Sequence, residues 1–366
     1  MTRIARIWGD IQAVLFPHLE RCLPTELTAR QRQVVATLEV VRIEEHLPGV
    51  SAQLRGRPRA SRRAIARAFI VKAVYDLPET LLLIDTLKAE PNLLRICGWQ
   101  HAGELPSEST FSRAFAEFAT SGLADRVHAA LVQEHVSERL VGHISRDSTE
   151  IVAREKPLRK PTPPPRPKRG RGRPRKGEVV VKPTEPATRI PEQLTQDPRE
   201  ALAKLPRACD VGVKRNSKGR EHIWIGYKAH FDVNDAGLPI TVVTTSASLH
   251  DSQVAVPMEK LTAERVTSFY SLMDAAYDAQ LIRQCCRELG HVPLIDSNAR
   301  SGEKTYFDPA EQQRYKERTA VERAYSRLKD DFGGRHVRVR GHCKVHAHIM
   351  FGVLALFADH LLKLVT

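Results

Sequence analysis

At 366 residues the chain is long enough for two or three domains and a sizeable core. Its 42% hydrophobic and 27% charged residues suit a soluble globular protein, and no run of about 18 apolar residues marks a membrane span. The formal net charge of +14 points to a polyanionic partner such as nucleic acid. The N-terminus, MTRIARIWGDIQ, lacks the apolar core and cleavage site of a secretory signal, so the chain is expected in the cytoplasm at the nucleoid, with no membrane partner. The six cysteines show no CxxC spacing and are expected to be reduced. Cys343, His346 and His348 in HCKVHAH have no second Cys/His pair at zinc-site spacing and read as a polar helix start.

Residues 1–140 read as a helical domain. TARQRQVVATLEVVRIEEHL, SRRAIARAFIVKAVYDL, SESTFSRAFAEFA and LADRVHAALVQEHVSERL repeat apolar residues at three- and four-residue spacing, with Ser or Thr at N-cap positions. Arg62, Arg63, Arg67 and Arg113 on these helices fit either a DNA grip or a solvated bundle. Residues 141–366 change period. GHISRDSTEI alternates as a strand, and HIWIGYKAHFDV and PITVVTTSA flank an NDAG turn as a hairpin. A helix near 252–264, the strand FYSLMDAA, the helix AQLIRQCCRELG, the strand HVPLIDS and a long helix over 312–332 follow. This order predicts a mixed α/β sheet flanked by helices. The apolar stretch from Ile349 to Val365 reads as a buried helix, because Asp359, His360 and Lys363 interrupt it.

Between strand one and the hairpin lies KPLRKPTPPPRPKRGRGRPRKG. From Lys156 to Gly177 it holds ten Lys or Arg, seven Pro and no acid, so it carries +10 of the +14. Residues 156–206 are therefore expected to be a mostly disordered basic insertion. RGRGRPRKG resembles an AT-hook, which would lay Arg171, Arg173 and Arg175 along an A·T minor groove; a flexible basic linker is the plainer reading.

Asp147 is expected at the end of the first strand and Asp274 at the end of FYSLMD, at the sheet edge where ligands collect. In YKERTAVERAYSRLK, Tyr315, Arg318, Glu322 and Lys329 fall at i, i+3, i+7 and i+14, within about 60° on one helix face. An ordinary solvated helix shows such a stripe too, so its meaning depends on the two aspartates. His250 and Asp251 in LHDSQ, and Asp278, read as helix-capping residues.

With these residues the chain resembles the bacterial insertion-sequence DDE transposases that carry the Y-x2-R-x3-E-x6-K signature, the insertion-sequence-four type. The resemblance covers Val141 to about Leu362 well and the N-terminal helices loosely. It implies an RNase H-like catalytic domain, with Asp147, Asp274 and Glu322 as catalytic and metal-binding residues. Two Mg²⁺ ions are implied, Mn²⁺ being a substitute, because such ions take hard oxygen ligands and share the scissile phosphate. Arg318 and Lys329 would lie at phosphates and Tyr315 at the DNA backbone. The implied reaction is cleavage of double-stranded DNA at transposon ends and joining of the 3′ ends to a target, by a homodimer on DNA. One departure is that only 47 residues separate Asp274 from Glu322 and none is Trp, whereas well-known members carry there a β-rich insertion whose Trp helps flip a base during hairpin formation. The alternatives are a transposon-derived DNA-binding protein that no longer cuts and an RNase H-like nuclease. The intact acidic triad separates the first from a transposase, and the Tyr, Arg and Lys spacing the second.

Overall fold

In the computed structural model, which describes residues 25–48, 59–159, 189–215, 219–297 and 305–364, a capping box opens the helical layer. The Thr28 side chain accepts from the Gln31 amide, Gln31 returns the bond to the Thr28 amide, and helix α1 (Ala29–Val41) follows. Ser61 caps α2 (Arg62–Val74) in the same role. Two helices absent from the sequence reading come next, α3 (Thr80–Ala89) and α4 (Pro91–Cys97). Neither has a side-chain cap, which is why no start signal marks them. Helices α5 (Glu108–Ser121) and α6 (Leu123–His135) meet at Gly122, whose φ of +60° suits glycine.

The sheet begins with β1 (Leu140–Val152). Short helices α7 (Ile190–Thr195) and α8 (Pro198–Ala203) precede β2 (Asp210–Arg215), β3 (Glu221–Asn234) and β4 (Pro239–Ser246). Then come α9 (Ser252–Arg265), β5 (Thr267–Met273), α10 (Gln280–Glu288) and β6 (Val292–Ile295). Helices α11 (Pro309–Tyr315), α12 (Thr319–Asp331) and α13 (His342–Lys363) complete the described chain. The six strands run β2-β3-β1-β5-β6, with β4 also on β3. β2 pairs with the first part of β3 and β4 with the rest, so the two share one edge position. β1 is antiparallel to β3 and parallel to β5, the mixed α/β arrangement of an RNase H-like domain. The NDAG turn joins β3 to β4 as expected: Asn234 Oδ1 accepts from the Leu238 amide and Gly237 has φ +79°.

Three expectations need correction. The segment 156–206 is not irregular throughout: Ile190, Pro198, Ala201 and Leu205 are buried and Asp197 caps α8, while residues 160–188, with Arg171, Arg173 and Arg175, lie outside the described residues. A strand, β2, was not anticipated after it. The helix over 312–332 is interrupted by a 3-10 turn at Lys316–Arg318.

α13 lies at the centre of the helical layer. Its 22 residues are long and apolar enough on average to cross a membrane, yet its most apolar stretch is 78% buried inside the protein. It packs on α1, α2, α5 and α6, and also on β4 and α12. Phe351 meets Phe69, Phe115 and Phe118 with ring centroids 5.7, 6.0 and 6.5 Å apart. At Gly352 a Cβ would come within 2.6 Å of the Phe332 carbonyl, so glycine lets α13 close against the end of α12.

Beneath the sheet, Arg146 of β1 is 1% exposed and bonds both carboxylate oxygens of Asp232 on β3 (2.6 and 2.7 Å). Its third nitrogen lies 2.8 Å from Glu259 of α9 and donates to the Ala255 carbonyl at 2.9 Å. Ser271 and His291 complete the shell of Glu259, and Thr262 donates to Asp232. A guanidinium with two carboxylates can persist in a dry interior only when paired in this way. Arg146→Met is expected to lower the free energy of unfolding by about 3–5 kcal/mol in urea titrations at pH 7, since two carboxylates lose their counterion. Adding Asp232→Asn and Glu259→Gln to that variant should restore most of the loss; no recovery would show that packing rather than charge pairing matters there.

Candidate active site

Asp147 is not at the end of its strand but near the middle of β1, opposite Phe231 of β3. What ends there is its other neighbour. The β1–β5 register runs to Ser145 opposite Leu272, and continuing it by two residues sets Asp147 opposite Asp274, where β5 has just stopped. Alternation along the strand then sends Arg146 into the charged interior and Asp147 to the other face, toward α12.

The junction between α11 and α12 is tied to both strands. The Tyr315 hydroxyl donates to the Met273 carbonyl (3.1 Å), next to Asp274, and the Ser145 hydroxyl donates to the Glu317 carbonyl (3.3 Å). The 3-10 turn between these ties places Arg318 over the carboxylates. Its guanidinium reaches Asp147 Oδ2 at 3.4 Å and Glu322 Oε1 at 2.8 Å, and it is 20% exposed against 15% for Asp147 and 51% for Glu322. The i,i+4 relation of Arg318 and Glu322 survives the break in the helix; Tyr315 is turned inward, its hydroxyl held by the backbone and its ring 4.8 Å from that of Phe307.

The electrostatics show crowding of negative charge. Burial, followed by repulsion from Asp274, pushes the Asp147 carboxyl up to about 6, although the Ser148 amide and Arg318 act the other way. Burial also raises Asp274, against the hydrogen bond from the Ala276 amide, and Asp251 adds to the rise. Asp251, read from the sequence as a cap, accepts from Lys228 at 2.9 Å and caps α9 with no side-chain bond. Despite its burial, His230, Lys228 and Ser148 hold it below the usual carboxylate range. Asp278, read as a cap too, precedes the N-cap Ala279 of α10 and pairs with Arg283 at 3.0 Å.

Asp147, Glu322 and Lys329 line a groove of about 300 Å³ with Lys214, Tyr325 and Arg335. Lys214 reaches it from β2, the strand the sequence reading missed; the alternation in DVGVKR was its signal. Burial lowers the Lys329 ammonium, with Glu150 acting in the opposite sense. Among the described residues no group of three or more His, Cys, Asp or Glu is already gathered as a metal site. The donor set nevertheless suits a hard divalent cation: two carboxylates face each other across adjacent strands, their proton affinities are raised, and the cation now nearest them is the guanidinium of Arg318.

The other marked residues are held elsewhere. Arg62 pairs with Glu117 and Arg67 with Glu44, each at 2.6 Å, so these two arginines of the helical layer bind their own fold. His346 bonds Asp125 and Thr244 and His348 bonds the Gly333 carbonyl. Cys97, Cys209, Cys285, Cys286 and Cys343 are free thiols.

No curated protein and no solved structure matches the chain significantly. Two family models do. Residues 200–358 match the transposase DDE domain, a stretch that contains Asp274, Tyr315, Arg318, Glu322 and Lys329, and proteins with this domain generally use a divalent metal. Residues 19–117 match a transposase domain (DUF772), and Asp147 lies between the two matches. With transposase domains matched on both sides of β1 and paired aspartates on an RNase H-like sheet, the chain is a DNA transposase of the DDE type.

Proposed function

We propose that this transposase cleaves DNA at transposon ends and joins the freed 3′ ends to target DNA, using Asp147, Asp274 and Glu322 as ligands for two Mg²⁺ ions, with Mn²⁺ as a substitute. The observation that carries the reading is the pair of raised carboxylates, Asp147 and Asp274, on adjacent strands, with Glu322 joined to Asp147 through Arg318. Divalent ions, when bound there, lower the pKa of the attacking water or 3′-hydroxyl and stabilise the leaving oxygen. The chain's own residues supply the rest. Arg318 neutralises the carboxylates before DNA arrives and offers its planar fork to a phosphate afterwards. Lys214 and Lys329 bring positive charge to the groove where the phosphodiester lies. Tyr315 acts as a positioning residue, through the Met273 carbonyl, for Asp274. The spacing of Tyr315, Arg318, Glu322 and Lys329 supports the insertion-sequence-four assignment, and a homodimer would let two transposon ends be processed together. The basic stretch with Arg171, Arg173 and Arg175 would add affinity for A·T-rich duplex without adding chemistry.

Asp274→Asn tests the metal set. Duplex binding should stay within about twofold while strand cleavage in Mg²⁺ falls on the order of 10³-fold; cleavage at parental rate would remove Asp274 from the site.

Asp147→Asn has a second readout. A carboxyl raised in the fold destabilises the fold when ionised, so stability falls as pH rises from the unfolded carboxyl value near 4 through about 6. Without divalent ions the variant should be more stable than the parent by about 1–3 kcal/mol at pH 8, and by little at pH 4. Urea titrations at both values check this, and a less stable variant at pH 8 would show that Asp147 holds the fold together.

Arg318→Lys keeps the charge but loses the two-pronged geometry. Cleavage and strand transfer should drop at least about tenfold, with melting temperature and DNA affinity nearly unchanged. If cleavage stays at the parental rate, Arg318 is only an ion-pair partner of Glu322, contributing roughly 0.3–0.5 kcal/mol.

A further inference from the structure

A second cavity, of about 490 Å³, opens between α2, the start of α3, α5 and the segment that leads into α13. It is in the size range of pockets that enclose small ligands or parts of larger ones, about 300–1,000 Å³. Its charge is lopsided: Lys72, Arg154, Arg338, Arg340 and Lys344 line it, against two acids, Glu79 and Glu108. The lining follows from local sequence. In HVRVR, Val337 is buried and Val339 half-buried, so the alternating Arg338 and Arg340 are turned outward. Arg340 is held by the Arg154 carbonyl at 3.0 Å, and Arg338 has only a loose ion pair with Glu79 at 3.9 Å.

Lys72 lies deepest. It is 7% exposed, and its ammonium donates to the Pro78 carbonyl at 3.3 Å, one acceptor for three N–H groups. Burial lowers it to about 8, against the opposing fields of Asp76 and Glu79, so an anion entering the cavity would favour its charged form.

Two chain segments link the cavity to the active-site groove. Arg154 lies two residues past the end of β1 and seven after Asp147, about 23 Å of extended chain. Arg335 lines the groove and Arg338 lines the cavity, three residues apart on one segment.

We propose that this cavity is a phosphodiester-binding pocket that grips duplex DNA at a second point, within about seven base pairs of the phosphate at Asp147, since DNA advances 3.4 Å per base pair. The inference rests on the transposase reading for the identity of the polyanion. The pocket contacts backbone only, so it adds affinity and register without sequence preference.

The test uses the full chain and a 30-base-pair duplex of arbitrary sequence in EDTA, with affinity measured from about 50 to 200 mM salt. Arg338→Gln should weaken binding several-fold and reduce the slope of log affinity on log salt by about 0.9, and Arg338→Gln with Lys344→Gln by about 1.8. Melting curves without DNA should show both rim variants folded. Arg338 is exposed and loosely paired, so the single variant decides the matter even if the double one is unstable. Unchanged slopes would overturn the pocket while leaving the transposase reading intact, whereas a parental protein that does not bind duplex at all would overturn that reading itself. Saturation of the parental protein by inorganic phosphate or a free mononucleotide, together with an unchanged duplex slope in the variants, would assign the cavity to a small anion and also overturn the proposal.

Discussion

The constraint on which the site depends is the buried guanidinium of Arg146. One side chain ties the central strand β1 to β3 through Asp232 and to α9 through Glu259, all with 3% exposure or less. Sheet register is set by side-chain period two, and a slip of one residue would exchange the two faces. Such a slip would bring Arg146 to the groove and bury Asp147, leaving Asp232 and Glu259 without a counterion. The charge network therefore fixes which face of β1 carries the carboxylate, more firmly than apolar packing alone would.

On the opposite face the same strand shows the reverse condition. Asp147 and Asp274 stand together with too little positive charge, and their raised proton affinities express that imbalance. Arg318 relieves it in part, being tethered by backbone ties from Tyr315 and Ser145 on either side of a 3-10 turn. A regular α-helix through 312–332 would carry the chain past these ties with a different phase, since a 3-10 turn advances about 120° per residue against 100°. Unpaired like charge of this kind concentrates at functional sites because function and not stability selects it.

The sequence made some of this legible and hid the rest for identifiable reasons. The strand around Asp147, the NDAG hairpin and the capped helices α1 and α2 depend on local chemistry, and local chemistry is what a sequence displays. Asp147 was expected at a strand end because the extent of a strand depends on its neighbours: β3 continues beside it while β5 stops. Helices α3 and α4 lack side-chain caps, and β2 follows a proline-rich stretch that obscures its alternation. The 3-10 break is fixed by two long-range hydrogen bonds, to residues 42 and 172 positions away. Arg338 and Arg340 gain meaning only because α2 and α5 fold over them; in the chain they are two basic residues among 57.

The C-terminal helix turns these parts into one body. α13 packs on four helices of the N-terminal layer and also on β4 and α12, and the largest of three apolar clusters joins the helical layer to β1, β3, β4 and α12. Separate domains joined by a linker would let a DNA contact on the helical layer drift relative to the carboxylates. Here Lys72 on α2 and Lys344 on α13 are fixed against the helix that bears Glu322, because Gly352 allows α13 to meet the end of α12 without a side chain between them. Preorganisation of this kind removes the ordering cost that a flexible second contact would add to binding. It also makes the spacing between the groove and the basic cavity a property of the fold, set by the length of β1, so that a rigid duplex touching both is held with a defined phosphate at Asp147.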